Sequence, residues 1–164
     1  MSINQSLIAE LKHESANTRK MLERVPFDKT DWKPHEKSTA LGRLATHIAE
    51  TPIWVNRIVP HDSFDFATGS FTRHVASDTK ELLQIHDDKL QQAVDLLEGA
   101  DDETLNKSWQ LRNGEHIVFE LPKKVVLRNF AFNHIYHHRG QLSVYLRLLD
   151  VPVPGMYGPS ADER

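Results

Sequence analysis

The stretch Asn133-His134-Ile135-Tyr136-His137-His138-Arg139-Gly140-Gln141-Leu142 lies inside a segment that reads as one helix, from near Pro122 to about Leu149. Proline is allowed at a first helical position, where no backbone N–H is required. His134 and His138 are four residues apart, so both imidazoles fall on one row of the helix, with Leu127, Ala131, Leu142, Tyr145 and Leu149. His137 falls on a second apolar row with Val126, Phe130, Val144 and Leu148, so periodicity alone does not choose between His137 and His138. The i, i+4 pair is favoured because both members share a row. That spacing can supply two nitrogens to one metal ion, and helices also carry such pairs by chance. On a row that faces a core, an uncompensated imidazole is a liability.

Three further helices follow from the same periodicity. Ser6 to Val25 carries Leu7, Leu11, Met21, Leu22 and Val25, ends before Pro26, and has Ser15 and Thr18 in its inner stripe. A second helix starts near Ser38 or Thr39, either of which can cap it, and runs through Leu41, Leu44, Ala45, His47, Ile48, Trp54, Val55 and Ile58. Pro52 inside that run predicts a kink or a local break. A third helix covers Ser77 to Leu97, with Gly99 as its stop. His61 to His74 reads as irregular, with Phe64, Phe66 and Phe71 among polar residues. Trp109–Arg112 and Glu115–Glu120 flank Asn113-Gly114, a strong signal for a β-hairpin with a type I′ turn. The expected fold is therefore all-α, a four-helix bundle with a small β-hairpin before the last helix. Several connections are longer than up-down loops, which predicts a crossover connection. The tail from Val151 should be loop. At 164 residues the chain fits a single domain, 1–164, able to bury a core without staples.

Composition narrows the function. The formal net charge is -3 with no dense basic cluster, which argues against nucleic acid as a partner. No apolar run approaches the ~20 residues of a membrane helix, and the N-terminus lacks a signal-peptide pattern, so a cytoplasmic location is the default. There is no cysteine, so any metal must be held by histidine, carboxylate or water, and any thiol chemistry needs a thiol from outside.

Ten histidines leave several candidates for a third ligand. His47 shares a row with Ala40, Leu44, Thr51, Trp54 and Ile58, and is either a ligand or a core histidine bonded to a carbonyl or hydroxyl. His86 lies on an apolar row of the third helix as a boundary residue, a support for a ligand or a fourth ligand. His35 precedes the second helix in a loop that can reach the bundle end. His13, His61, His74 and His116 read as surface or loop residues.

Asp31–Ser38, Leu41–Glu50, Asn133–Leu142 and the tail Val151–Glu163 together resemble the DinB-like family, almost end to end and in the right order. The specific part is His138-Arg139-Gly140-Gln141-Leu142 downstream of His47. The resemblance implies a four-helix bundle with a crossover, homodimers in many members, and one divalent metal ion per chain on three histidines, which fall on His47, His134 and His138. Tyr136, His137 and Arg139 then become flanking residues. Three imidazoles leave positions open for water or substrate, as in a catalytic site, and both zinc and nickel accept them. Glu50, Ser15, Thr18, Gln141 and Tyr145 are candidates to orient the imidazoles. Gly140 inside the helix suggests close approach of another helix or chain. Tyr157 and Asp162 lie in a tail that either folds over the site or packs outside it.

Some relatives transfer a low-molecular-weight thiol such as bacillithiol, mycothiol or glutathione to an electrophile. The resemblance thus implies a metal-dependent thiol S-transferase acting on a small-molecule substrate. A metal-dependent hydrolase with Glu50 as general base is the second reading. A stress-induced, non-catalytic protein that binds a metal and a small ligand is the third.

Overall fold

A computed structural model describes residues 2–69 and 74–163. The chain is mostly helical. Helix α1 spans Ile3–Leu22, starting three residues before the expected Ser6 because the Gln5 side chain accepts the Ser2 N–H at 3.2 Å. Helix α2 spans Leu41–Glu50 and α3 spans Ile53–Ile58, so the break expected at Pro52 is present. Pro52 has no N–H to continue the ladder, and the Ile48 carbonyl accepts from Thr51 instead, at 3.2 Å. Neither Ser38 nor Thr39 caps α2. Its first N–H groups go to loop carbonyls, Leu41 to Trp32 and Gly42 to Thr30, each at 2.9 Å. This requires close approach: a Cβ on Gly42 would meet Thr30 Cβ at 2.9 Å.

Helix α4 spans Thr79–Glu98, capped by Asp78, whose carboxylate accepts the Glu81 N–H at 2.8 Å. Gly99 follows as its C-cap. A one-turn helix not anticipated from periodicity, α5 (Asp102–Asn106), is held by Asp101. The last helical run is divided. It comprises α6 (Lys123–Leu127), a π-helical turn at Arg128–Asn133, and α7 (His134–Leu148).

The all-α expectation is corrected by a three-stranded mixed sheet in the order β1-β2-β3. Strands β2 (Ser108–Asn113) and β3 (His116–Pro122) pair antiparallel from Ser108↔Pro122 to Asn113↔His116. Strand β1 (Ser63–Asp65), in a segment expected to be irregular, pairs parallel to β2 from Ser63↔Gln110 to Asp65↔Arg112. Three residues are too few to show alternation. What holds β1 is Phe64, edge-to-face on Trp54 at 5.6 Å, and Asp65, whose carboxylate accepts the Gly114 N–H at 2.9 Å. Phe71 lies outside the described residues. The turn also differs from the expected type I′, which needs two central residues with positive φ. Gly114 and Glu115 are the loop residues, and of the two only Gly114 has positive φ, at 62°.

Helix α1 packs on α4 and α7, and α2 packs on α4 and α7 as well. Two apolar clusters result. One gathers Leu11, Trp54, Leu97, Trp109, Leu127 and Phe132 beside the sheet. The other gathers Met21, Leu22, Leu41, Ile48, Leu82, Leu142 and Leu146 at the opposite end. On α7, His134 and His138 sit between Phe132 and Ile135 of the first cluster and Leu142 of the second. On α2, His47 lies between Leu44 and Ile48. No helix among the described residues is long and apolar enough to cross a membrane.

Candidate metal centre

Helices α2 and α7 bring His47, His134 and His138 together. One ligand-type nitrogen from each lies within 4.8 Å of the other two. His47 Nε2 and His134 Nε2 are 3.2 Å apart. The His47 ring meets the His138 ring edge-on, centroids 4.7 Å apart. Two imidazole nitrogens on one tetrahedral zinc, each about 2.0–2.1 Å from the ion, stand roughly 3.3 Å apart. The His47–His134 separation fits that requirement without rearrangement.

The protonation pattern fits as well. His134 Nδ1 lies 3.3 Å from the Phe130 carbonyl, and His138 Nδ1 lies 2.7 Å from Gln141 Oε1. Both Nδ1 atoms therefore carry the proton and donate it, which leaves each Nε2 with a lone pair toward the cluster. Burial lowers the pKa of all three histidines. His47 falls furthest, to about 4, through burial and then the neighbouring His138, His134 and Arg43. Metal ligation requires neutral imidazole, and burial holds these three neutral at physiological pH. The donor set can therefore hold a metal ion.

Two cavities flank the cluster. One, of about 260 Å³, is lined by Arg43, His47, Glu50, Thr51, Ile53, Trp54, Arg57 and Lys89. The other, of about 500 Å³, is lined by residues including Lys37, Arg43, His47, His138, Gln141 and Tyr145. His47 and Arg43 border both. Arg43 is held in place by the His74 carbonyl at 2.7 Å and by Glu50 at 3.2 Å.

The remaining candidates separate clearly. Gln141 supports His138 as expected. Glu50 borders the smaller cavity and pairs with Arg43. Tyr145 borders the larger cavity, and its hydroxyl donates to the Thr39 carbonyl at 3.1 Å rather than to a histidine. Thr18 bonds the Glu14 carbonyl at 2.9 Å, and buried Ser15 Oγ has no hydrogen-bond partner in the structure. Neither Ser15 nor Thr18 makes a bond to the histidines. His86 is buried on α4 against Asp87, at 3.1 Å, outside the cluster. His35 accepts the Lys37 N–H at 3.1 Å and closes a local turn. His137 stacks beside His138 with centroids 4.8 Å apart. No helix of this chain closely approaches Gly140, since a Cβ there would meet nothing within 4 Å.

Sequence reasoning missed two features. Phe130 contributes a backbone carbonyl, which no side-chain pattern reveals. Glu14 on α1 is buried and pairs with Arg139 at 2.6 Å. The Tyr157 hydroxyl donates to Glu14 at 2.8 Å and accepts from Arg139 at 2.5 Å. The tail is fixed further by Asp162 on Arg147. Its side-chain bonds to the helices include Glu14, Arg139 and Arg147, and among the described residues none is seen to the histidines.

A sequence profile described as the DinB family matches residues 1–164. The chain is 47% identical over 34 residues to the uncharacterized protein YrdA of Bacillus subtilis (strain 168). That match spans 21% of this chain and only 20% of YrdA. Among solved structures, a DinB-like protein from Bacillus cereus ATCC 10987 superposes with a TM-score of 0.73 at 22% identity, covering 93% of this chain and 97% of its own. A DinB-like protein from Bacillus subtilis, YjoA, superposes with a TM-score of 0.66 at 20% identity, covering 90% and 95%. At these identities the likeness establishes a shared fold.

Proposed function

The chain belongs to the DinB family, and from that premise we propose that His47, His134 and His138 hold one divalent ion, zinc or nickel, in an enzyme that transfers a low-molecular-weight thiol to an electrophilic substrate. The observation that carries this reading is the convergence of three neutral imidazoles with no fourth histidine, carboxylate or cysteine in the group among the described residues. A donor set of three leaves room for an exchangeable ligand, whereas structural sites close with four. When bound, the ion would act as a Lewis acid that favours the deprotonated form of a thiol at neutral pH.

The protein's own residues then orient and shape. Gln141 and the Phe130 carbonyl fix the tautomers of His138 and His134. Arg43, held by Glu50 and the His74 carbonyl, stands where both cavities meet. Two cavities bordering one histidine suit a reaction with two substrates. The chain has no cysteine, so a thiol used in such a reaction would come from outside the protein. On this reading the scaffold is a single-domain four-helix bundle with a crossover, and the exposed α7 residues Val144 and Leu148 offer a face for a homodimer.

The test is elemental analysis of purified protein beside His47→Ala and His134→Ala. About one ion per chain in the parent, lost in both variants, is expected. Metal-loaded parent should then accelerate thiol conjugation, and His138→Ala should abolish it; equal rates would remove the transferase assignment. A hydrolase is the second reading, favoured by Glu50 on the wall of the cavity that His47 borders. Full hydrolytic activity in Glu50→Gln would exclude that carboxylate as the base.

A further inference from the structure

The 260 Å³ cavity beside His47 has an uneven lining. Among the described residues, three cationic side chains, Arg43, Arg57 and Lys89, share it with one carboxylate, Glu50. That carboxylate bonds Arg43 at 3.2 Å and its charge also acts on Arg57, so the three cations still outnumber it. The rest of the wall is largely apolar, from Ile53 and the buried Trp54. A concave, mostly apolar pocket with a few converging polar groups is the usual form of a small-molecule site.

Arg57 is fixed within this wall. Its guanidinium carbon lies 4.9 Å from the centroid of the Trp54 ring and 4.8 Å from that of Phe64. Stacking engages the face of a guanidinium, while its hydrogen bonds are made in the plane, along the edge. An arginine held by two aromatic rings also loses little freedom on binding an anion, which favours recognition of planar or tetrahedral oxyanions. Lys89 enters from α4, so the positive charge comes from two separate elements packed against each other.

We propose that this cavity binds the acidic group of a small molecule with an apolar body, the acid received by Arg57 and Lys89 and the body lying along Trp54 and Ile53 toward His47. The ligand class is an aryl or alkyl carboxylate or phosphate. Its size is limited by a volume slightly below the ~300 Å³ at which drug-sized sites begin. That the occupant is a substrate rests on the functional reading above; the binding itself does not.

The experiment is calorimetric titration of phenylacetate, phenyl phosphate and the neutral phenylacetamide into zinc-loaded and metal-free protein. The same titrations are run on Lys89→Met, Arg57→Met and Arg57→Lys, with circular dichroism to confirm folding. Both acids, or one, should bind the parent with or without zinc, and the amide should not. Removing one charged hydrogen-bond donor should weaken acid binding at least about tenfold. Lys89→Met carries the test if Arg57→Met unfolds by losing its stacking, and Arg57→Lys should retain part of the affinity. The tighter acid identifies the site as one for carboxylate or for phosphate. Equal binding of the amide, or acid binding indifferent to both Lys89→Met and Arg57→Met, overturns the proposal. So does binding that appears only with zinc and ignores these substitutions. Acid binding in a protein that takes up no metal supports the pocket and removes the functional reading; metal uptake without acid binding does the reverse.

Discussion

Helix α7 carries two polar clusters on different sides, and they are built on opposite principles. Toward α1, Arg139 meets Glu14 at 2.6 Å, Thr18 Oγ1 at 3.2 Å and Tyr157 at 2.5 Å. Cation, anion, donor and acceptor are all supplied by the chain, so that cluster completes itself. Toward α2, three imidazoles face one another, and all three are held neutral by burial. That cluster presents like groups to each other and lacks a cation. A self-completing cluster fixes structure. An incomplete one, half-buried, can take up a ligand that completes it.

The sharpest way to break the contrast is to remove Glu14. Glu14→Ala strands a buried guanidinium, and breaking a buried pair from one side costs about 3–5 kcal/mol; urea denaturation should show a loss of that size. The opposite is expected at the histidines. Zinc at a thousand times its Kd should stabilise the parent by about 4 kcal/mol, and His47→Ala should abolish that gain. A thermal shift retained in His47→Ala would mean the ion binds elsewhere.

A third, smaller effect separates His86 from the three-histidine cluster. Burial lowers its pKa from 6.5, against the opposing pull of Asp87, with Arg19 adding to the lowering. Below pH 6.5 the unfolded chain therefore takes up a proton that folded His86 resists, so its contribution to stability is intact above that pH and falls as pH drops through it. One such group changes stability by at most ~1.4 kcal/mol per pH unit. His86→Asn in metal-free protein should flatten the urea-midpoint profile between pH 7.5 and 5.5; an unchanged slope would show that other groups set it. The smallest effect is expected for Tyr157→Phe, which removes one hydroxyl from the completed cluster. A loss of about 0.5–1.5 kcal/mol should come with faster proteolysis of the tail.

Much of this contrast was visible in the chain before folding. The i, i+4 pair His134 and His138 announces itself because helical spacing is rigid, and His47 stands on a row that has to be buried. Gln141 follows from being one turn beyond His138. What stayed hidden depends on tertiary placement. Nothing local marks Glu14 as the partner of Arg139, 125 residues away. Strand β1 is invisible because its three residues gain their order from pairing with β2. The caps Ser38 and Thr39 were outcompeted by carbonyls of Thr30 and Trp32, which only the folded loop brings close. Gly140 faces open space within this chain, so its helix-weakening cost is offset by no contact with another of the chain's own helices.

The π-helical turn at Arg128–Asn133 acts as a phase adjuster. A wide turn accommodates one more residue than an α-turn, so it sets the angle at which everything after it emerges. Each residue of an α-helix turns its successor by about 100°. His134, His138 and Arg139 all follow the π-helical turn on one helix, so deleting one residue from this turn would swing them together. Either both clusters lose their partners at once, or the end of the chain, docked through Tyr157 and Asp162, holds α7 in place and the rotation passes back to α6. This six-residue segment therefore ties the orientation of the histidines to that of Arg139.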